Sequence, residues 1–243
     1  MRPSSSASTR NRRMSDSDET LLDRPIWSAL TTSQRHLAEG GPRALRYPVD
    51  MTPFADVPDM SAASFAALGD LLSGTQVAAL FTPEAVDVPA GFKLVLAGPC
   101  EQMIGSPADS PLGDAEIVEL GAADVPAMMA LTDLTKPGPF AARTHELGTF
   151  LGIRAGGALV AMAGERMKPG KFTEMTAVCV HPDHRGRGYA QALLAAVGRQ
   201  IEARGEIPFL HVFSSNASAI ALYQRQGMTI RRRLYVTALM KQE

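Results

Sequence analysis

Val178-Cys-Val-His-Pro-Asp-His-Arg-Gly-Arg-Gly-Tyr-Ala190 is the stretch on which the reading of this chain turns. It starts inside an apolar run, Phe172–Val180, whose β-branched and aromatic residues suit a strand. His181-Pro182 breaks that run. From Tyr189 the apolar residues recur at helical spacing, with Tyr189, Leu193, Leu194, Val197 and Ile201 on one face, and Gly205 ends the pattern. A strand therefore enters a helix, predicted over Tyr189–Ala203, through a turn containing Gly186 and Gly188. Glycines there let consecutive backbone N–H groups point into one concavity at a positive helix end, an anion site suited to a pyrophosphate. Arg185 and Arg187 add positive charge. The turn is neither of the common nucleotide loops, lacking the Gly-Lys-Ser/Thr ending of one and the third glycine of the other. The residues alone leave two readings open: a site for a phosphate-bearing ligand, or a tight turn that needs glycine for its own geometry.

Working outward, Pro208–Phe213 reads as a strand, and Asn216 caps a helix over Ala217–Gln226 that Gly227 closes. Leu234–Met240 is the last strand. Upstream, Ala115–Leu120 suits a strand and Ala123–Thr135 a helix. Lys136-Pro-Gly-Pro-Phe140 is a loop, and a short helix follows near Ala141–Leu147. Thr149–Arg154 and Ala158–Met167 form a hairpin across Ala155-Gly-Gly157. The order predicts an α/β fold, a mixed sheet covered by helices. Residues 25–105 read as a smaller N-terminal α/β half without a cofactor loop, with helices over Ile26–Ala38 and Ser61–Leu72 and strands over Gln76–Phe81 and Phe92–Ala97. Residues 106–114 are a linker of turn-forming residues, and residues 1–24 a polar tail expected to be disordered.

Composition narrows the partners. The 243 residues carry a net charge of −1, so no global field points to nucleic acid or an anionic membrane. No apolar stretch approaches the roughly 18 residues that span a bilayer, and the N-terminus has no secretory apolar region. The expected location is cytoplasmic. Cys100 and Cys179 sit in apolar surroundings without metal-type spacing and read as reduced core residues. Arg231-Arg-Arg233 reads as a solvated turn.

Arg185-Gly186-Arg187-Gly188-Tyr189-Ala190 resembles the Arg/Gln-x-x-Gly-x-Gly/Ala signature of the GNAT superfamily of acyl-CoA-dependent N-acyltransferases. A second, independent match is Asn216-Ala-Ser-Ala-Ile-Ala-Leu-Tyr-Gln-Arg-Gln-Gly-Met228. It resembles that family's Asn…Ala…Leu-Tyr…Gly-Phe segment, with Met228 in place of the last aromatic. The resemblance covers residues 115–243. The Thr135–Phe140 loop and the Thr173–Pro182 stretch look like the subgroup that includes the C-terminal half of glycine N-acyltransferases. Residues 25–105 would then be a degenerate copy of the same fold.

The resemblance implies acetyl-CoA as cofactor and direct acetyl transfer to a primary amine in a ternary complex. It assigns cofactor contacts to Arg185, Gly186, Arg187, Gly188, Tyr189, Ala190 and Asn216, and to the backbone of Val178, Cys179 and Val180. The strand before the loop is expected to splay from its neighbour, exposing the Val178 and Val180 amides. A thioester transfer needs a deprotonated amine, a donor for the oxyanion and a proton for the departing thiolate. Glu174, eleven residues before Arg185, occupies the family's general-base position, and alternation puts it on one side with Thr176 and Val178. Tyr223 occupies the general-acid position. His211 on the next strand reads as structural. The expected acceptor is a small-molecule amine, and the protein a monomer or homodimer. The alternatives are a non-catalytic acyl-CoA-sensing module, or a transferase for a longer acyl chain or for protein lysine.

Overall fold

The computed structural model describes residues 19–110 and 115–242. Most of the expected tail, residues 1–18, and residues 111–114 of the expected linker lie outside the described residues. The N-terminal half supplies α1 (Pro25–Thr31), β1 (Glu39–Gly41), β2 (Ala44–Arg46), β3 (Ala55–Asp56), α2 (Ala62–Asp70), β4 (Val77–Thr82) and β5 (Phe92–Ile104). There follow β6 (Ile117–Leu120), α3 (Val125–Thr135), β7 (Phe150–Ala155), β8 (Ala158–Glu165) and β9 (Phe172–Val180). The chain closes with α4 (Tyr189–Ala203), β10 (Ile207–Phe213), α5 (Ala217–Arg225) and β11 (Thr229–Lys241).

Alternating apolar residues make one large mixed sheet, whose eight strands lie in the order β4-β11-β5-β10-β9-β8-β7-β6. β5, from the N-terminal half, lies between β10 and β11, so both halves of the chain share this sheet. The β9–β10 pair is parallel; every other named pair in the sheet is antiparallel. On one face, α4 buries Leu193, Leu194, Val197 and Ile201 against Met103, Met175 and Leu210, with α5 alongside. Near the fork described below, the other face is covered by the N-terminal half, where Tyr47 and Phe54 join Cys100, Phe172 and Phe209. Further along, α3 covers Ala177 and Cys179.

Several elements differ from the local reading. β5 runs to Ile104, past Gly98-Pro99, where a strand is expected to stop. The Pro99 carbonyl accepts from Ser214 N at 3.0 Å. Its missing N–H therefore falls on that same side, beyond the end of β10, and no rung of the β11 ladder is lost. Arg231-Arg-Arg233 is not a solvated turn but part of β11, at a register shift. Arg231 donates to the Glu19 carbonyl (2.8 Å), Asp23 (2.9 Å) and Gln102 (2.9 Å), and Arg233 pairs with Glu101. These bonds pin residues 19–24, the end of the expected disordered tail, with Leu22 fully buried. The helix expected over Ile26–Ala38 stops at Thr31. Ser61 caps α2 as its sequence position implies, accepting from Ser64 N at 3.2 Å.

Candidate active site

The turn before α4 adopts the conformation that its glycines permit. Gly186 (φ 77°) and Gly188 (φ 78°) both lie in the left-handed region, where a side chain is strained. A Cβ built at Gly186 would meet no heavy atom within 4 Å, so the requirement there is conformational rather than a packing one. Gly188 is the N-cap of the 15-residue α4, and Tyr189 and Ala190 form its half-buried first turn. Arg185, Gly186 and Arg187 are exposed. Neither guanidinium is engaged by another described residue, and both stand beside a helix N-terminus.

Behind this loop the sheet forks. β9 and β10 pair at only three positions, Phe172 with Ile207, Thr173 with Pro208 and Glu174 with Phe209. Past Glu174, β9 stays with β8 and β10 stays with β5, and a gap opens between them. His181 N donates to the Val160 carbonyl on the β8 side at 2.8 Å. Alternation back from there turns the N–H groups of Val180 and Val178 toward the gap, as expected, with Cys179 turned the other way. Cys179 packs in the cluster under α3, and burial holds its thiol up at about 11, so only its backbone belongs to the fork.

A bulge in β9 changes which residues share a face. Ala177 has φ 53°, and the β8 register shifts between Met162 and Gly164 opposite it. The extra residue puts Met175, Val178 and Val180 together on the α4 face. Glu174 therefore does not share a face with Val178, contrary to simple alternation. It faces the N-terminal half, fully buried.

That carboxylate is committed. Arg166 binds both of its oxygens, Nε to Oε2 at 2.8 Å and Nη2 to Oε1 at 2.9 Å. His211 Nδ1 lies 2.8 Å from Oε1. Burial pushes the Glu174 pKa up, but the Arg166 charge and the hydrogen bonds from His211 and Arg166 outweigh it and bring the carboxyl to about 2. A carboxylate so held is a weak proton acceptor at neutral pH, and the expected general-base role of Glu174 competes with this ion pair. The network extends further. Gln102, opposite His211 across the β5–β10 ladder, accepts from Arg231 through Oε1 (2.9 Å). Its Nε2 donates to the Leu22 carbonyl (2.8 Å) and lies 3.0 Å from His211 Nε2. With the amide so oriented, His211 Nε2 accepts and Nδ1–H donates to Glu174, so both ring nitrogens are used. Arg166 and Gln102 had no signal in the sequence: they lie 8 and 72 residues from Glu174 and match no motif.

Tyr223 sits on α5, half-buried against Leu210, Val212 and its neighbours. Desolvation pushes its phenol up to about 12, so it stays protonated at neutral pH. Its hydroxyl makes no hydrogen bond to another described residue. Asn216 caps α5, its Oδ1 accepting from Ala219 N (3.2 Å) and from Ser218 Oγ (3.0 Å). The loop and the Asn216 cap thus sit at the C-terminal ends of β9 and β10, and Tyr223 lies about two turns further along α5.

A model of FR47-like proteins matches residues 150–236, the span from β7 into β11. N-alpha-acetyltransferase RimI of Mycobacterium tuberculosis is 36% identical over 112 residues, 41% of this chain and 68% of that protein. A crystal structure of a GNAT-family acetyltransferase from Novosphingobium aromaticivorans superposes with a TM-score of 0.82 at 40% identity, covering 91% of this chain and 99% of that one. The chain belongs to the GNAT family. It is an acetyl-CoA-dependent N-acetyltransferase of the GNAT type. A GNAT relative of narrower overlap is the [Ribosomal protein bS18]-alanine N-acetyltransferase of Salmonella typhimurium, 43% identical over 65 residues. This chain spans 44% of that relative's length. No described helix is long and apolar enough to cross a membrane.

Proposed function

We propose that this GNAT enzyme acetylates the α-amino group of its acceptor. The observation that carries the reading is the commitment of Glu174 and His211, the two acid–base side chains at the fork, to Arg166 and Gln102. An acceptor that arrives partly neutral needs no strong base. Model α-amines of peptides titrate near 7.7–8.0 and lysine near 10.4, so at about pH 7.4 roughly a fifth to a third of such α-amines are neutral against roughly one lysine in a thousand. The names of the relatives, an N-alpha-acetyltransferase and a ribosomal protein alanine acetyltransferase, agree with an α-amine. A free amino acid also offers an α-amine, but its own carboxylate keeps that amine more basic than a peptide N-terminus, so it arrives less neutral.

The loop and fork fit acetyl-CoA. The turn at Gly186 and Gly188 and the unpaired Arg185 and Arg187 would hold its phosphates at the α4 N-terminus. The Val178 and Val180 amides, facing a gap without a rung, would bind its peptide-like arm, with Asn216 beside it. Bound acetyl-CoA supplies the activated acyl group and a thiolate leaving group. The Val178 N–H would stabilise negative charge on the carbonyl oxygen, and the protonated Tyr223 phenol would donate to the sulfur.

The experiment is an assay of thiol release from acetyl-CoA with three acceptor sets: free amino acids, peptides with a free N-terminus and no lysine, and N-blocked peptides with one lysine. Turnover with the first two sets supports the reading, and the ratio between them separates small-molecule from peptide acceptors. Preference for free glycine would extend the resemblance to glycine N-acyltransferases to substrate as well. Turnover confined to the blocked lysine peptides would overturn it.

A further inference from the structure

We propose that His211 and Arg166 are positioning residues for acetyl-CoA, acting through Glu174 to fix the width at which β9 and β10 part. The proposal rests on the fork being the acetyl-CoA site. Glu174 stands on the last rung that β9 and β10 share, opposite Phe209. His211 lies two residues further along β10, on the same face as Phe209. Its 2.8 Å hydrogen bond to Glu174 therefore ties the two strands where the backbone ladder has just ended. Arg166, from the end of β8, fixes the far side of the carboxylate, while its own N–H donates to the Glu174 carbonyl at 3.0 Å. Gln102 from β5 fixes the other imidazole nitrogen. Side chains from four adjacent stretches of the sheet thus meet at the vertex of the fork.

The N-terminal half seals this tie. Phe54 lies under the Arg166 guanidinium, 4.4 Å from ring centroid to Cζ. Gln34 donates to the Arg166 carbonyl at 2.8 Å and accepts from Tyr47 Oη at 2.6 Å. Phe81 stacks on His211 with centroids 4.4 Å apart. The His211 side chain is only 4% exposed, yet the residue as a whole is half-buried, so what remains open is its backbone. The tie is dry on the side-chain face and leaves the backbone of the fork free. Nothing in this arrangement receives a proton during the reaction. It holds two strand backbones at one separation, and a peptide-like arm that fills the gap is sensitive to that separation.

The test uses the full chain and titrates acetyl-CoA and free CoA by calorimetry, well below each variant's melting midpoint. His211→Asn places an amide nitrogen near Nδ1 and keeps the donor to Glu174. His211→Gln places its amide oxygen near Nε2, where it accepts from Gln102, and keeps only that contact. His211→Leu keeps neither. The expected result is that the Gln and Leu variants weaken both ligands roughly tenfold, the order of a lost hydrogen bond to a charged group, whereas the Asn variant stays within about threefold. In turnover the deficit appears in KM for acetyl-CoA, with kcat and its pH profile retained. A purely structural role would lower the melting midpoint of Asn and Gln variants alike and leave both affinities unchanged, which overturns the proposal. A fall in kcat with a displaced pH profile, the mark of proton transfer through His211, also overturns it. Gly188→Val serves as control. If that loop variant keeps wild-type affinity, the fork is not the acetyl-CoA site and the reading beneath the proposal fails. If it loses affinity while His211→Gln does not, only the proposal fails. Should His211→Leu not fold, the comparison of Asn with Gln decides alone.

Discussion

The fork vertex and the loop before α4 are neighbours along β9, and they are built in opposite ways. At the vertex every polar atom of Glu174, His211 and the Gln102 amide has a partner, and all three side chains are buried. At the loop, Arg185 and Arg187 are exposed and unengaged by described residues, and Gly186 has room around it. Binding sites that take up a charged ligand keep their donors unspent, whereas the frame holding them in place spends every donor on itself. Mutations at the vertex should therefore act on stability and, through the strand separation it holds, on affinity, whereas loss of a loop guanidinium should act on affinity alone.

The largest effect that breaks or sharpens this contrast is expected from Arg166→Met. It leaves Glu174 buried without its main partner, and such a removal costs about 3–5 kcal/mol. Denaturant melts of wild type and variant measure it; a loss under about 1 kcal/mol would mean the vertex is not the rigid frame described. The pH dependence sharpens the same point. Glu174 is held below its usual value, down to about 2, so its contribution to stability is full above about pH 4.5. It is lost as pH falls from there toward 2. Melting midpoints across that window should fall for wild type and fall less for Glu174→Gln. Parallel curves would contradict the shift.

At the loop, Gly188→Val forces a β-branched residue into φ 78°, at a local strain of about 1–3 kcal/mol. It should cost roughly a hundredfold in acetyl-CoA affinity, because the backbone N–H groups no longer converge. Equal affinity by calorimetry would mean that the glycines serve only the turn. The smallest effect is expected from Arg185→Gln, a few-fold loss of affinity that shrinks as salt is raised, since exposed charges are screened. An affinity that does not depend on salt in either protein would remove the guanidinium from phosphate binding.

How much of this was legible beforehand follows from the range of the forces involved. The strand, the glycine turn and α4 were readable because each depends on residues within a few positions: β9 and α4 have the expected bounds, Phe172–Val180 and Tyr189–Ala203. The Asn216 cap was readable for the same reason. The bulge at Ala177 was not, because alanine announces no positive φ; the mismatch of β9 against β8 imposes it. That one residue separated Glu174 from Val178 and undid the face assignment behind the base role. The Arg231–Arg233 run misled in a similar way, since its partners Glu19, Asp23 and Glu101 lie more than a hundred residues away in sequence.

The sequence by itself determined the α/β class, the order of elements around the loop and the resemblance to the GNAT family. These follow from hydrophobic period, from glycine and proline, and from motifs whose parts sit within a dozen residues of one another. Only the tertiary structure decided what surrounds Glu174. Whether a carboxylate is a base or a strut depends on burial and on which charges surround it, and Arg166, His211 and Gln102 reach it from three separate stretches of chain.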